Sequence, residues 1–171
     1  MVIDMNIDTL AKISEHYNEG FTHFFVNTEI VISKINGNAR ITKEKIDSGK
    51  LIAVIGGVLM DKNDNYIAMP MGTGIFLHQI SNTHKGTVNH SCDPNCKIEG
   101  FNKLVTKRSI NINEELTIDY GTVSIGKGNT MIKECNCGSA LCRHEIKTDD
   151  YKFLPVEDLC LYGKYIKENT K

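Results

Sequence analysis

The apolar residues of this chain fall into short runs that glycine, asparagine and aspartate separate. The runs are IVISKI at 30–35, LIAVIGGVL at 51–59, GIFLHQI at 74–80 and ELTIDY at 115–120. Short apolar runs bounded by turn residues are typical of small β-strands. The segments between them lack the helical periodicity that parallel βαβ winding requires. The pattern therefore predicts a mainly β fold with short helices.

Helical patterns are confined to the two ends of the chain. Near the start, apolar residues recur every three or four positions and predict an amphipathic helix over residues 8–20. Near the end, Pro155 can open a second helix, since proline suits the first helical position. The inward-facing residues of that second helix are predicted to be Val156, Leu159 and Cys160. Gly163 weakens the second prediction because glycine lowers helix stability.

Size and charge exclude several classes of function. A chain of 171 residues suits one domain, since chains of this length bury about two-thirds of their unfolded surface. With 20 basic and 21 acidic residues, no global field attracts the protein to nucleic acid or an anionic membrane. The first residues lack the pattern of a signal peptide, and no apolar run approaches the ~20 residues of a membrane span. We therefore expect a cytoplasmic protein with no direct nucleic-acid or membrane binding.

The six cysteines are the first candidates for a chemical site. In a reducing compartment, metal ligation or burial is favoured over disulfide formation. Three of them lie close together in the segment CNCGSALC: Cys135, Cys137 and Cys142. Tetrahedral zinc takes four ligands, so a fourth must come from elsewhere in the chain, and Cys92 and Cys96 are the candidates. Cys160, alone on an apolar helix face, is predicted to be a core thiol.

Two further segments carry polar residues in suggestive positions. NHSCDPN at 89–95 is polar and contains a proline, so its composition predicts a turn. Within it, Asn89 and His90 could cap a helix, ligate a metal or bind a ligand. EELTIDYG at 114–121 is typical of a half-buried edge strand that ends at Tyr120. Taken alone, a tyrosine in such a strand is more often a core residue than a catalyst.

The order of these segments resembles the SET-domain methyltransferases that carry a post-SET zinc segment. The matching elements are an NHSCxPN loop, EELTxDYG about twenty residues later, and a CxCGSxxC knuckle closed by Arg143. NGNARITKEKIDSGKLIAVIGG also matches the spacing of the family's glycine loop and the strand that follows it. The resemblance covers roughly residues 28–147. It implies small curved sheets around a pseudoknot in which the NHSC loop and the tyrosine strand pass through one another.

The resemblance also divides the chain and assigns roles to individual residues. The implied segments are an N-terminal helical extension at 1–27, a SET domain at 28–122, a post-SET zinc segment at 123–147 and a C-terminal helical extension at 148–171. Asn89 would bind the amino-acid end of S-adenosylmethionine, and the backbone at His90 would bind its adenine. The main chain of the glycine loop would also hold this donor, through Gly37, Asn38 and Ala39. Cys92 would be the fourth zinc ligand, and Tyr120 would stabilise the moving charge.

Several positions depart from the family pattern. Ala39 and His144 stand where the family has glycines, and Ile55 and Glu145 stand where it has aromatic side chains. Val58 replaces a glutamate, and Gly86 and Thr87 replace the Arg-aromatic pair before NHSC. Ile118, two residues before Tyr120, occupies a position that often carries an aromatic controlling how many methyl groups fit. Ile118 and Ile55 are the candidate residues of the substrate channel. The channel is therefore predicted to be less aromatic than a typical lysine channel.

The resemblance implies an S-adenosylmethionine-dependent N-methyltransferase for a primary amine, with a protein lysine as the family's usual acceptor. A free amine such as a polyamine is the alternative acceptor, because aromatics are missing and the segment from Asp61 to Gly86 is short. The acidic side chains that could bind a polyamine are Asp61, Asp64, Glu99 and Glu145. A different class is a zinc-stabilised binding module that has lost catalysis.

Overall fold

The computed structural model describes residues 22–61, 68–78 and 88–169. Within these ranges lie thirteen short strands, three 3₁₀ helices and one α-helix, so the prediction of a mainly β fold is confirmed. The helix predicted over residues 8–20 lies outside the described residues. Among the described helices, none has the length and apolar character needed to cross a membrane.

The strands pair into one four-stranded sheet, one three-stranded sheet and three two-stranded ribbons. The strands are β1 (His23–Phe24), β2 (Thr28–Ile32), β3 (Asn38–Thr42), β4 (Leu51–Val54), β5 (Val58–Met60), β6 (Met69–Gly72), β7 (Ile75–His78), β8 (Asn89–His90), β9 (Cys96–Glu99), β10 (Lys103–Thr106), β11 (Thr117–Ile118), β12 (Thr130–Ile132) and β13 (Ile146–Lys147). The larger sheets have the orders β1-β4-β10-β9 and β5-β7-β6, and the ribbons are β2-β3, β8-β11 and β12-β13. Of these pairs, β8-β11 is parallel and the others are antiparallel.

The predicted apolar run at 51–59 forms two strands instead of one. β4 ends at Val54 and β5 begins at Val58, in a different sheet. Between them, Gly57 presses against β7 so closely that a Cβ atom there would lie 2.3 Å from the carbonyl oxygen of His78. Only glycine permits this approach, which lets the chain leave the four-stranded sheet and join the second one.

One hydrophobic core lies between the four-stranded sheet and the β6–β7 hairpin. Its largest fully buried side chains include Ile52, Leu77, Ile98, Leu104, Ile110 and Leu116. Leu116 immediately precedes β11, so the segment that leads to Tyr120 is anchored in the core before it reaches the surface. The buried side chain of Leu116 thereby fixes the position of this segment, which carries the candidate site, relative to the core.

The C-terminal helix begins later than the proline predicted. Pro155 precedes a 3₁₀ helix, η3 (Val156–Asp158), and the α-helix, α1, spans Leu161–Asn169. Leu159 separates the two with extended backbone, and its side chain is buried as predicted. Gly163 lies on the buried face of α1, where a Cβ atom would meet neighbouring side-chain carbons at 3.2 and 3.3 Å. This glycine therefore serves close packing. The other two 3₁₀ helices are η1 (Tyr120–Thr122) and η2 (Asp150–Lys152).

Candidate active site and metal centre

The segment that composition predicted to be a turn begins as a strand. Asn89 and His90 form β8 and pair in parallel with Thr117 and Ile118 of β11. The backbone N–H of Ser91 extends this pairing by donating to the carbonyl of Ile118 at 2.9 Å. The NHSC loop therefore lies directly beside the tyrosine segment, as the predicted pseudoknot requires.

A buried asparagine fixes β11 from the other side. The side-chain amide of Asn95 donates to the carbonyl of Glu115 at 2.7 Å, and its oxygen accepts from the backbone N–H of Thr117 at 2.9 Å. Asn95 is 1% exposed, so these bonds form away from water and leave few of its polar groups unpaired. The side-chain amide of Asn95 thus pairs with the backbone of β11 as a neighbouring strand would. The paired residue, Thr117, lies three residues before Tyr120.

His90 connects the NHSC loop to Tyr120. The backbone N–H of Tyr120 donates to Nδ1 of the His90 ring at 3.1 Å, and the Nε2 atom lies 3.2 Å from Sγ of Cys92. Burial lowers the pKa of His90 to about 4; the charge of Asp119 opposes this shift and that of Arg143 adds to it. The ring is therefore neutral at physiological pH.

The hydroxyl of Tyr120 is held in a defined position. It donates to the backbone carbonyl of Val88 at 3.0 Å. Burial raises the pKa of Tyr120 to about 12, and the charge of Glu115 adds to this shift. The hydroxyl is therefore protonated near neutral pH and acts as a fixed dipole instead of a base.

A cavity of about 260 Å³ opens beside these residues. Asn89, His90 and Tyr120 form one part of its wall. The loop between β2 and β3 contributes Ile35 and Asn36. The remaining lining comes from the segment at 131–136, which enters the cysteine knuckle; of its lining residues only Cys135 was predicted as a site residue, and as a zinc ligand. Four separate stretches of the chain therefore meet around this cavity.

Hydrogen bonds from Asn89 hold the glycine loop against β8. Its side-chain amide nitrogen lies 3.0 Å from the carbonyl oxygens of Asn36 and Asn38, and 2.7 Å from a carboxylate oxygen of Glu115. The same carboxylate accepts the hydroxyl of Ser33 at 3.0 Å, and that hydroxyl accepts backbone N–H groups of the loop. Sequence patterns did not single out Glu115, although it is the second glutamate of EELTIDYG.

The other predicted residues near this cavity do not form its described lining. Gly37 turns the chain between β2 and β3 with φ of 53°, a left-handed conformation that favours glycine. Ala39 is buried within β3, and Ile55 is buried in the core after β4. Ile118 lies in β11, partly buried against the same core. Gly86, Thr87 and Asp64 lie outside the described residues, and the substrate-channel role of Ile55 and Ile118 stays a prediction.

The four predicted zinc ligands come together. The sulfur atoms of Cys92, Cys135, Cys137 and Cys142 all lie within 4.8 Å of one another. Tetrahedral zinc with ligands at about 2.3 Å would place sulfur atoms ~3.8 Å apart, so four thiolates at these positions fit one ion. The other fourth-ligand candidate, Cys96, is 0% exposed in the hydrophobic core, and Cys160 is also buried there.

The thiols of this cluster differ in their acidity. Burial raises the pKa of Cys92 to about 12 and that of Cys135 to about 11. Burial acts in the same direction on Cys137, but hydrogen bonds from the backbone N–H groups of Cys92 and Ser139 and from neighbouring thiols outweigh it, lowering its pKa to about 7. Because a metal binds thiolates, a metal ion entering this cluster must release protons.

The sequence model of the SET-domain family matches residues 22–121. The chain belongs to the SET-domain family. A SET domain-containing protein of Acanthamoeba polyphaga mimivirus is 25% identical over an alignment that covers 82% of this chain and 59% of the relative. The probable histone-lysine N-methyltransferase set-23 of Caenorhabditis briggsae is 38% identical and covers 40% of this chain and 28% of the relative.

The solved structures show the same fold. The crystal structure of KRYPTONITE in complex with mCHG DNA and SAH superposes on this chain with a TM-score of 0.56 and 24% sequence identity. The superposition covers 72% of this chain and 29% of the KRYPTONITE chain. The predicted SET-domain fold is therefore confirmed. This SET-domain chain spans less than two thirds of the length of the relatives named above.

An ion pair joins the cysteine knuckle to the tyrosine segment of this SET domain. The guanidinium of Arg143 makes two hydrogen bonds with the carboxylate of Asp119, at 2.6 and 2.7 Å. Asp119 in turn caps η1 by accepting the backbone N–H of Gly121 at 2.9 Å. The backbone N–H of Arg143 also donates to Sγ of Cys92 at 3.3 Å. Arg143 therefore bridges the cysteine cluster and the residues around Tyr120. In the sequence it is the residue that closes the knuckle.

One departure from the family pattern has a structural cost. His144 replaces the usual glycine after Arg143, yet its backbone has φ of 65°. A side chain in this left-handed conformation is strained by about 1–2 kcal/mol. Its carbonyl accepts the backbone N–H of Cys135 at 2.7 Å, so the knuckle depends on this conformation.

Replacing His144 by glycine is expected to stabilise the protein by about 1 kcal/mol, because strain relief exceeds the added freedom of the unfolded chain. Thermal unfolding would show a rise in Tm of about 2–4 °C. Asn113 has the same φ of 65°, and asparagine tolerates it better, so Asn113→Gly is the matched control with little expected gain. Equal shifts for both variants would contradict the explanation.

Proposed function

We propose that this SET-domain chain transfers a methyl group from S-adenosylmethionine to a lysine side chain of a protein. The observation that carries the proposal is the position of Tyr120. Its neutral hydroxyl is fixed on the carbonyl of Val88, and its side chain lines the cavity together with Asn89 and His90. This fixed dipole in the cavity wall supports the proposal that a donor and an acceptor meet there.

The cavity residues have the chemistry that this donor requires. When bound, S-adenosylmethionine supplies an electrophilic methyl group on a positively charged sulfur. Asn89 and the loop it holds would bind the polar ends of the donor, and Tyr120 would orient its oxygen lone pairs toward the charge that moves during transfer. Rate then depends mainly on alignment, which rigid elements on both sides of Tyr120 provide.

The cysteine cluster would hold one structural zinc ion. Four thiolates fill a tetrahedral site, so no position stays open for a reacting group. The segment at 131–136 that lines the cavity runs directly into this cluster. We therefore assign the metal the role of holding that part of the cavity wall, and we give it no part in the chemical step.

A protein lysine is the acceptor that the comparisons support. Several relatives are named as histone-lysine methyltransferases, and another KRYPTONITE structure contains an H3 peptide and SAH. The acidic residues suggested for a polyamine site give it no support. Asp61 and Glu99 are exposed, and the carboxylate of Glu145 lies 3.1 Å from the amine of Lys147 and accepts the hydroxyl of Thr130.

The KRYPTONITE structures also contain DNA; for this chain, the absence of direct nucleic-acid binding stays a prediction.

A transfer assay with labelled S-adenosylmethionine tests the proposal. Histone H3 and a total protein lysate are offered in one set of reactions, and a polyamine mixture in another. We expect label in protein, and none when the lysines of the substrate are first blocked by chemical acetylation. Label in polyamines alone would show that the acceptor is a free amine instead of a protein lysine. No label with any substrate would favour the inert binding module.

Donor binding provides a separate check. S-adenosylmethionine and its demethylated product are expected to stabilise the protein, by about 2.7 kcal/mol at a ligand concentration of 100 times Kd. Asn89→Ala should weaken both ligands, because it removes the amide that holds the glycine loop. Asn102→Ala is the matched control, since its amide donates to Ile55 away from the cavity. Titration calorimetry showing equal Kd values for the two variants would contradict the assigned role of Asn89.

A further inference from the structure

The geometry points to His90 as a positioning residue that links the proposed zinc ligand Cys92 to Tyr120 through the two nitrogens of its ring. Each nitrogen has a different partner, one in the tyrosine segment and one in the cysteine cluster. The inference rests on the proposed zinc centre, and it goes further by naming the side chain through which that centre acts on the tyrosine.

The hydrogen bond with Tyr120 determines which nitrogen carries the proton. A backbone N–H can only donate, so Nδ1 of His90 accepts the N–H of Tyr120 at 3.1 Å. In a neutral imidazole the other nitrogen then bears the hydrogen. That hydrogen lies on Nε2, which is 3.2 Å from Sγ of Cys92. The ring therefore donates to the sulfur atom.

Among the residues that the structure describes, the other groups near the ring do not compete for this hydrogen. His90 is 2% exposed, so water does not replace a missing partner. The carboxylate of Asp119 lies on the opposite side of the ring, 3.7 Å from Nδ1, and it is already bonded to Arg143 and to the N–H of Gly121. A distance of 3.7 Å is too long for a hydrogen bond. The sulfur atom of Cys92 is therefore the partner of Nε2.

The charge on the sulfur atom decides how strong this bond is. A neutral thiol is a weak acceptor, whereas a metal-bound thiolate accepts N–H groups well. Cys92 then receives two such donors, from the ring of His90 and from the backbone of Arg143 at 3.3 Å. Metal binding thus strengthens the bond at Nε2 and immobilises the ring whose other nitrogen holds Tyr120.

Two substitutions of His90 test the roles of its two ring nitrogens separately. The amide oxygen of asparagine can replace Nδ1, so His90→Asn keeps the acceptor for Tyr120 and removes the donor to Cys92. The amide nitrogen of glutamine reaches the position of Nε2, so His90→Gln keeps the donor and removes the acceptor. His23→Asn, at an exposed histidine of β1, is the matched control for introducing an amide.

The full chain loaded with zinc, and with cobalt as a spectroscopic probe, gives the readouts. We expect His90→Asn to lower zinc affinity about 10-fold to 100-fold in competition with a chromophoric chelator. The same variant should shift the thiolate-to-cobalt charge-transfer band. His90→Gln and His23→Asn should keep both properties of the wild-type protein. In the transfer assay, His90→Gln should lower kcat because the N–H of Tyr120 has lost its acceptor.

The results can overturn the inference in distinct ways. Equal zinc affinity and identical cobalt spectra for His90→Asn and the wild-type protein would show that Nε2 does not donate to the ligand. Equal losses for the asparagine and glutamine variants would show that the ring only fills space. Wild-type protein that binds no metal would overturn both the inference and the zinc centre. Metal behaviour as expected without methyl transfer would overturn the proposed activity alone.

Discussion

Replacing Tyr120 by phenylalanine is expected to lower kcat about 100-fold or more, while the fold, the bound metal and most of the donor affinity are kept. The ring still fills its place beside His90, with the ring centroids 5.4 Å apart in the wild-type protein. Only the hydroxyl and its bond to the carbonyl of Val88 are lost, so the free energy of unfolding should fall by about 1 kcal/mol. Steady-state kinetics with a lysine substrate measure the effect.

The kinetic pattern distinguishes catalysis from binding. If the hydroxyl acts on charge that exists only during transfer, kcat and kcat/KM should fall together. Tyr162→Phe is the control, because Tyr162 packs against the hydrophobic core away from the described cavity lining. A Tyr120→Phe enzyme with wild-type kcat and normal donor binding would show that the proposed mechanism is wrong.

Loss of a single ligand sulfur is expected to remove the metal. The wild-type chain should contain one zinc ion, and Cys92→Ser should lower zinc affinity by more than about 100-fold. The reason is that a hydroxyl is a poor zinc ligand and leaves the other three thiolates with an incomplete tetrahedral site. Donor affinity should fall as well, because the segment at 131–136 loses its anchor beside the cavity. Metal analysis and donor titration check both results.

Cys96→Ser provides a demanding control for the metal. Cys96 is only four residues away from Cys92, yet it lies in the core and its thiol donates to the side-chain oxygen of Asn95 at 3.3 Å. A serine hydroxyl can make the same bond, so the fold and the zinc ion should both be kept. Zinc lost from Cys96→Ser and retained by Cys92→Ser would reverse the assignment of the fourth ligand.

The parts of the site that could be predicted are those encoded in local spacing. Three cysteines within eight residues predict a metal-binding knuckle by themselves, and the resemblance carried by the order of motifs then points to Cys92 and Tyr120. The four sulfur atoms do come together, and Tyr120 does line a cavity with Asn89 and His90.

The contacts that could not be predicted depend on the parallel pairing of two strands. Asn95 and Glu115 are ordinary polar residues in the sequence. They become important only because β8 and β11 lie side by side, which places Glu115 against Asn89 and Asn95 against Thr117. The resemblance implied that these two segments meet, but no local pattern indicates which side chains the pairing brings together, since each strand has only two residues.

Local rules also failed where tertiary packing determines the backbone. The run at 51–59 has the composition of one strand, and the close approach of Gly57 to β7 divides it. Pro155 can start a helix, but the buried and extended Leu159 delays α1 until Leu161. In both places the position of a distant side chain or strand outweighs the preference of the segment itself.

The uneven distribution of the four clustered cysteines along the chain has a consequence for folding. Three ligands form a local group, whereas Cys92 meets that group across a long loop, and its partner Arg143 lies 51 residues further along. Closing a loop of this length costs about 3.5 kcal/mol of chain entropy. Because the three local cysteines need no long loop closure, we expect them to bind a metal before Cys92 joins them, and the pairing of β8 with β11 to bring Cys92 into place. We therefore expect the cavity to form late in folding, and to form faster when zinc is present than when it is absent.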